Sequence, residues 1–420
     1  MLQSKFFGKT LREPPKDETS FNAKLLSQAG FIDKLTAGVY SYLPLGLRVL
    51  IKIQDIVRKE MNDLGGQEIY MPALQPQELW QETGRWDSLK KIMFQFAGRG
   101  DKEVGLAPTH EENVVDIVRK RLNSYRDLPL LLYQIQDKFR NEPRAKSGLL
   151  RGREFNMKDL YSFHTDKEDL DEFYQKAITA YQNIFNNCSL DSMVVEASGG
   201  VFTKEYSHEF QVPTPFGEDE IIFCKSCNFA QNTDICKLKE DNKCPKCGQK
   251  LVKTKAIEVG NIFKLGSKYS QDMKLVYVDE NDSRKEVVMG CYGIGPSRLM
   301  GAVVEVFHDD KGIIWPANLS PFDVHLLLLS DNNVKSNRAK KLYQDLTDQG
   351  WQILFDERKL SPGVKLNDAD LIGITLQLII GEKTKDRLEY KLRDGSQEGT
   401  VKESEITNLL EKIYSSKKVN

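Results

Sequence analysis

Residues 139–155 read FRNEPRAKSGLLRGREF. Four arginines, one lysine and two glutamates crowd a short glycine-containing loop, with a phenylalanine at each end. Guanidinium forks match phosphate oxygens, and an aromatic face suits a planar ring. The stretch is either the solvated tip of a hairpin or a grip for something planar and highly anionic. A second constellation follows: Cys224 and Cys227 in CKSC, sixteen residues, then Cys244 and Cys247 in CPKC. Two CxxC pairs at that separation form a zinc-ribbon pattern with four closed ligands, which reads as a structural metal; a redox dithiol and a ribbon that has lost its metal are the alternatives. Cys236 inside the loop is a candidate spare ligand, and Cys188 and Cys291, without partner spacing, read as packed thiols. At 290–300, GCYGIGPSRLM is a glycine-rich strand-to-helix turn. Its glycines allow close backbone approach, and Arg298 at the helix start can meet phosphate. In APTHEE, Thr109 precedes Glu112 at the capping-box spacing, at the start of an apolar-periodic helix.

Regular elements must hold these residues. Leu50, Ile53, Val57, Met61 and Leu64 repeat at three- and four-residue steps, which predicts a helix ended by Gly65 and Gly66. QEIYMPAL then reads as a short strand broken at Pro72, suited to an edge or an interface. A second helix is expected from about Glu111 to Leu122. In the strand before the charged loop, Gln134, Gln136, Lys138, Arg140 and Glu142 fall on one face. Leu131, Tyr133, Ile135 and Phe139 fall on the other, so a half-buried antiparallel hairpin with a wet face is expected. REFNMKDLYSFH is its return strand, apolar enough to belong to a larger sheet. After IIWPANLSP the pattern becomes strand, helix, strand, helix, strand, with a last helix in EITNLLEKIYSS. That is a compact α/β module of about 100 residues, linked near Ala317 to Ser320.

Bulk composition narrows the class. The chain has 420 residues, 40% hydrophobic and 29% charged, with a net charge of −1. Two or three ordinary globular domains follow, and any nucleic acid must be held by local patches. No apolar stretch approaches the roughly 20 residues that span a bilayer, and MLQSKFFGKTLREPPKDE has no signal-peptide core. With four of seven cysteines in CxxC pairs, a cytoplasmic protein with no membrane partner is expected. Residues 224–255 carry eight lysines against three acids, a surface for RNA phosphate or simply a soluble one.

Arg140, Glu142, Arg151 and Phe155 together resemble motif 2 of the class II aminoacyl-tRNA synthetases, and Gly293, Gly295 and Arg298 resemble motif 3. The Leu50–Leu64 helix with the Pro72 strand fills the place of motif 1, which in that class builds the dimer interface. SQAGFIDKLTAGVYSYLPLGLRVL, APTHEE, RGREFNMKDLYSFH, SHEF, GCYGIGPSR and DERKLSPGVKLNDADLIGI narrow the resemblance to the bacterial-type prolyl-tRNA synthetase family, along nearly the whole chain.

The resemblance implies an α+β fold: an antiparallel class II sheet flanked by helices, a small zinc-ribbon insertion and a C-terminal α/β anticodon-binding domain. It divides the chain into catalytic residues 1–222 and 258–319, an insertion at 223–257 and an anticodon-binding domain at 320–420. It implies ATP-dependent ligation of L-proline to tRNA(Pro) through prolyl-adenylate, with ATP, Mg²⁺ and structural Zn²⁺. Arg140 would grip the α-phosphate, Glu142 the adenine amino group, Arg151 the outer phosphates and Arg298 the γ-phosphate. Phe155 would stack on adenine, with Glu258 and Gly295 also at the nucleotide. Proline would lie against Thr109, Glu111, Arg140, His208 and Gly260, with Glu111 opposing its cationic ring nitrogen. Arg140 and Arg298 would carry catalysis by charge stabilisation, without a side-chain nucleophile. Arg358 and Lys365 would meet anticodon bases.

Asn261 stands where the family usually has histidine, and Thr375 where it has proline. The rival readings are another class II ligase, such as a threonyl or glycyl enzyme, and a non-catalytic synthetase-like RNA-binding protein. Many bacterial relatives carry, between motifs 2 and 3, a large insertion that hydrolyses mischarged alanyl-tRNA. Here only the roughly 35 residues from Phe223 to Ile257 stand there, too few for a separate hydrolytic core. A homodimer served by a separate trans-editing hydrolase is therefore expected.

Overall fold

The computed structural model describes residues 1–100, 102–143, 145, 147–200 and 206–415. They form two compact units, one from 54–145 and 150–299, the other from 1–53, 146–149 and 300–420. The helix α1 spans Pro44–Asp63. It begins at a proline, whose fixed φ suits the first helical position. Its Val49, Leu50, Ile53, Val57 and Met61 are buried, the stripe that the sequence spacing gives.

The first unit is built on a nine-stranded sheet. Its strands are β1 (Gln67–Glu68), β2 (Leu130–Phe139), β3 (Glu154–His164), β4 (Met193–Ser198), β5 (Tyr206–Pro213), β6 (Asp219–Cys224), β7 (Ala230–Asn232), β8 (Leu251–Gly266) and β9 (Val288–Ile294). Their order is β5-β4-β7-β6-β8-β9-β3-β2-β1, with β5 also pairing with β8. Seven pairings are antiparallel, and β1–β2 and β4–β7 are parallel. Helix α2 (Glu111–Arg119) follows the APTH segment, and α3 (Lys167–Asn187) covers one face of the sheet. Tyr181 and Phe185 of α3 pack their rings on Phe210 of β5.

Two expectations change here. Pro72 is not in a strand: β1 is two residues long, and the Pro72 carbonyl accepts from His110 Nε2 at 3.2 Å. The supposed wet face of β2 is dry. Gln134, Gln136 and Lys138 are all buried, because the segments around Met71 and His110 lie over them. Gln134 Oε1 accepts from Met71 N (2.9 Å), Gln136 donates to Met71 O, and Lys138 Nζ meets Asp159 Oδ1 at 2.7 Å. Alternation identified the face but not its cover.

The other unit carries a five-stranded sheet of β10 (Val324–Leu328), β11 (Ile353–Asp356), β12 (Leu376–Ile380), β13 (Arg387–Leu392) and β14 (Glu398–Lys402), ordered β11-β10-β12-β13-β14. The first three strands are parallel, joined through α5 (Asn333–Asp348) and α6 (Pro362–Ile372). The antiparallel β13 and β14, not expected from sequence, extend the sheet before α7 (Ile406–Ile413). Ala339, Leu342 and Leu346 of α5 are buried in its core, as their spacing predicts. In the same unit Leu2 bridges Phe355, and Thr10 Oγ1 donates to Asp368 (2.8 Å).

Breaking the buried Lys138–Asp159 pair leaves a carboxylate without its ammonium in a dry layer. Lys138→Met should lower unfolding stability by about 3–5 kcal/mol. Urea denaturation checks this; an unchanged midpoint and slope would contradict it.

Candidate active site

One face of the nine-stranded sheet gathers the polar residues. Gln134, Asp159, Gly293, Asn261 and Glu209 lie directly opposite one another in a row across β2, β3, β9, β8 and β5. Direct cross-strand neighbours share a face, so this row is the floor of the site. A Cβ on Gly293 would meet only the Asn261 carbonyl, at 3.7 Å, so the glycine leaves room above the floor. Asp159 accepts from Gln134 Nε2 and Tyr161 OH, both at 3.0 Å, besides facing Lys138. The Tyr161 hydroxyl in turn accepts from His110 N at 3.0 Å. Burial pushes the His110 pKa down to about 4, so the ring is neutral over this ion pair.

Arg140 leaves the end of β2 and is pinned by its backbone N–H to Arg153 O (2.8 Å). Its Nε and Nη2 both donate to Pro108 O at 3.3 Å, and its guanidinium lies 5.1 Å from the Phe155 ring centroid. Among the described residues it makes no ion pair. Burial, and then the facing Arg298 charge, push its pKa down. A cation held by a neutral carbonyl and repelled by a second cation is a ready anion site. Glu142 and Arg151 pair with each other, Nη2 to Oε2 at 2.9 Å. Arg140, Glu142, Arg151 and Thr109 line one cavity of about 690 Å³, with Arg85, Leu89, Lys91, Ile92, Pro108, Asn141 and Pro143.

The APTHEE turn differs from its expected cap. His110 is the N-cap residue of α2, without a side-chain capping bond, and Thr109 Oγ1 donates to Glu111 Oε2 at 2.6 Å. Glu112, the expected capping partner, instead accepts from Arg85 Nη1 (2.9 and 3.1 Å) and from Thr83 Oγ1 (2.8 Å). Arg85 also reaches Glu111 Oε2 at 3.4 Å. Sequence spacing gave no sign of Arg85, because it comes from a four-residue helical turn remote from the APTHEE string.

Arg298 stands in the first turn of α4 (Pro296–Val306). It donates to Leu150 O (2.8 Å) through Nε and to Glu258 Oε2 (2.8 Å) through Nη1. A Cβ on Gly295 would come within 3.1 Å of Arg298 Cβ, so glycine is what lets the turn close on this arginine. Asn261 Nδ2 lies 3.3 Å from Glu258 Oε1 and 3.5 Å from Glu209 Oε1. Glu209, which sequence reading passed over, has its pKa raised to about 7 by burial and by Glu258.

Its neighbour His208 points the other way, as alternation requires. Tyr174 of α3 bonds His208 Nδ1 at 2.9 Å. Gly260 is on the same far face, where a Cβ would strike the rings of Phe185 and Tyr181 at 3.0–3.2 Å. Those two residues support α3 and do not stand with Glu258 on the site floor.

The four expected metal ligands do converge: the sulfurs of Cys224, Cys227, Cys244 and Cys247 all lie within 4.8 Å of one another. The Cys224–Cys247 and Cys227–Cys244 pairs are 3.4 and 3.6 Å apart. That exceeds a disulfide bond and approaches the edge of a tetrahedron with metal–sulfur bonds of about 2.3 Å. Cys236 stays outside the cluster, its thiol facing Leu238 O, and Cys188 and Cys291 are buried. The segment is sewn into the sheet, since Cys224 ends β6 directly opposite Leu251 of β8.

In the other unit, Lys365 is only 3% exposed and donates from Nζ to Leu328 O at 2.6 Å. Arg358 pairs with Asp356 (2.7 Å) and Asp368 (2.8 Å). Both are expected to reach bases; Lys365 instead braces the loop from inside, whereas Arg358, tied to two aspartates, keeps part of its side chain exposed.

Sheet, motif arginines and appended α/β module define a class II synthetase architecture. Residues 94–307 match the family described as tRNA synthetase class II core domain (G, H, P, S and T), and 323–413 match the anticodon binding domain family. The chain is 36% identical to a proline–tRNA ligase of Sulfurihydrogenibium sp. (strain YO3AOP1), covering 98% of this chain and 99% of the relative. It is 34% identical to that of Persephonella marina, over 98% and 100%, and 33% identical to that of Thermotoga maritima, over 92% of each. The chain belongs to the proline–tRNA ligase family. Its match to the first of these runs over 558 aligned positions against 420 residues here, so at least 138 of them have no residue in this chain. Among the described residues, no helix is long and apolar enough to cross a membrane.

Proposed function

We propose that this protein ligates L-proline to tRNA(Pro) through prolyl-adenylate. The observation that carries the reading is Arg140, a guanidinium with no carboxylate partner among the described residues, beside Phe155 and opposed by Arg298. It opens into the cavity that Thr109 also lines, in a chain whose relatives are named proline–tRNA ligases. The proline carboxylate attacks the α-phosphorus of ATP in line, one P–O bond forms, and the bond to pyrophosphate breaks. Arg140 takes the charge developing on the α-phosphate, and Arg298 the outer phosphates; Arg151 and Glu142 exchange their mutual pair for phosphate and adenine contacts. Phe155 offers the ring face not covered by Arg140 to the base. Magnesium, when bound, would neutralise phosphate charge, and Glu258 and Glu209 are oxygen donors of the kind it takes. The ribose hydroxyl at the tRNA 3′ end then attacks the prolyl carbonyl and releases AMP. Positioning and charge carry both steps.

The remaining assignments are part of the same proposal. The catalytic residues fall in 1–222 and 258–319, with a ribbon at 223–257 and an anticodon-binding domain at 320–420, in a cytoplasmic protein. Bases would meet the outer surface of the loop that Lys365 braces, where Arg358 keeps part of its side chain exposed. Another class II ligase would share the ATP contacts but not the proline dependence, and a non-catalytic protein would share neither activity.

Pyrophosphate exchange assayed with each of the twenty amino acids should respond to proline, and to alanine weakly. Arg140→Ala should abolish it in a folded protein, a loss on the order of 3 kcal/mol or more in transition-state binding. Exchange driven by a different amino acid would refute the substrate, and a fully active Arg140→Ala the site.

The tetrathiolate geometry supports one zinc per chain, and the place of α1 in the class supports a two-fold dimer. Native mass spectrometry of protein purified without chelator should give twice the chain mass plus two zinc ions. A metal-free monomer would refute both.

Missing methylenes discriminate by only about 1–3 kcal/mol, so a proline pocket admits alanine. With no hydrolytic insertion, the protein should leave pre-formed alanyl-tRNA(Pro) intact, a task that falls to a separate hydrolase. Deacylation above the spontaneous rate would count against this.

A further inference from the structure

Behind Thr109 lie two adjacent buried carboxylates and one guanidinium. Glu111, Glu112 and Arg85 are 2%, 0% and 5% exposed. A single nitrogen, Arg85 Nη1, stands 2.9 and 3.1 Å from the two oxygens of Glu112 and 3.4 Å from Oε2 of Glu111. The guanidinium is held between aromatic faces, 5.2 Å from the Trp80 ring centroid and 5.5 Å from that of Tyr269. Burial raises the Glu112 pKa, against the pull of Arg85, but both of its oxygens accept from Arg85, and Oε1 also accepts from Thr83, contacts that fit the ionised carboxylate.

The charge count is then simple. Arg85 offsets one of two carboxylates and leaves the cluster at −1. The nearby Lys138–Asp159 pair is balanced, and His110 is neutral, so neither changes the total; Arg140, which also feels Glu111, is the cation that the reading above gives to the α-phosphate. One residual negative charge behind a cavity wall fits one cation.

We infer that Glu112 sets the charge of the amine-binding end of the site: by engaging Arg85 with both oxygens it leaves Glu111, farther from the same nitrogen, only partly compensated toward a cationic secondary amine. This rests on the prolyl ligase reading and adds a positioning residue to it. Glu112 touches no ligand. It acts by keeping Arg85 from neutralising Glu111, so its removal costs amine recognition although no contact to the amine is lost.

The test is a two-residue cycle in proline-dependent pyrophosphate exchange. Glu112→Gln keeps the shape and turns Arg85 onto Glu111, so the cluster becomes neutral. KM for proline should rise by about tenfold or more, the scale of one partly buried charge pair, while KM for ATP moves less than about twofold. Adding Arg85→Gln restores −1, and the double variant should return to within about threefold of the wild-type KM. Arg85→Gln alone should do less harm than Glu112→Gln, because an unpartnered buried Glu112 takes up a proton. Tetrahydrofuran-2-carboxylate, which has a ring oxygen in place of the ammonium, is the shape control. Its inhibition constant should not rise in Glu112→Gln. An unchanged proline KM, equal loss of the ether analogue, or a double variant no better than Glu112→Gln each overturns the inference. Absence of proline-dependent exchange in the wild-type protein is a different result: it removes the ligase reading, and this inference with it.

Discussion

The buried pair of Lys138 and Asp159 is the interaction on which the site depends. Charges are taken out of water at a cost that their attraction recovers only when the remaining lone pairs are also satisfied. Asp159 meets that condition through Gln134 and Tyr161, and Tyr161 passes the restraint on to the backbone of His110. One carboxylate thus fixes the height of the Thr109–Glu111 turn above the sheet. A neighbouring strand end fixes Arg140, so the two ends of the cavity are referred to the same pair of strands. Replacing that layer with hydrocarbon would keep a core but would leave the turn without its register.

The two faces of the sheet solve different problems. The α3 face is aromatic and closely packed, with Gly260 present so that the rings of Tyr181 and Phe185 can approach the backbone. The other face needs space and charge, and Gly293 supplies the space by leaving the floor bare. Strand alternation links the two, since every residue given to one face sets the next on the other. SHEF shows the result: His208 goes to the helix and Glu209 to the carboxylates.

Much of this was legible in the chain. Period-2 alternation picked out the face of β2, the three-and-four spacing found α1 and the buried stripe of α5, and the CxxC pairs located four converging thiols. What stayed hidden was set by contacts distant in sequence. Nothing in LPLLLYQIQDK tells that Met71 and His110 will cover Gln134 and Lys138 and dry a face that looks solvated. The capping spacing of Thr109 and Glu112 was real, but Arg85, from another element, competes for Glu112 and wins because a buried carboxylate needs a cation more than a helix end needs a cap. Lys365 and Arg358 looked available because their charges were visible and their partners were not.

The splice of the cysteine segment has a consequence for how such a chain can change its length. Strands β6 and β8 are zipped to each other from Asp219–Ala256 up to Cys224–Leu251, so the two chain ends that leave the sheet emerge side by side. Anything hung from that exit is a closed loop whose closure the sheet has already secured, and added length then carries only a slowly growing entropic cost. The exit works as a socket. A small thiol-bound knot fills it here, and a larger body could occupy the same opening without shifting Glu258, Asn261 or any other residue on the floor below.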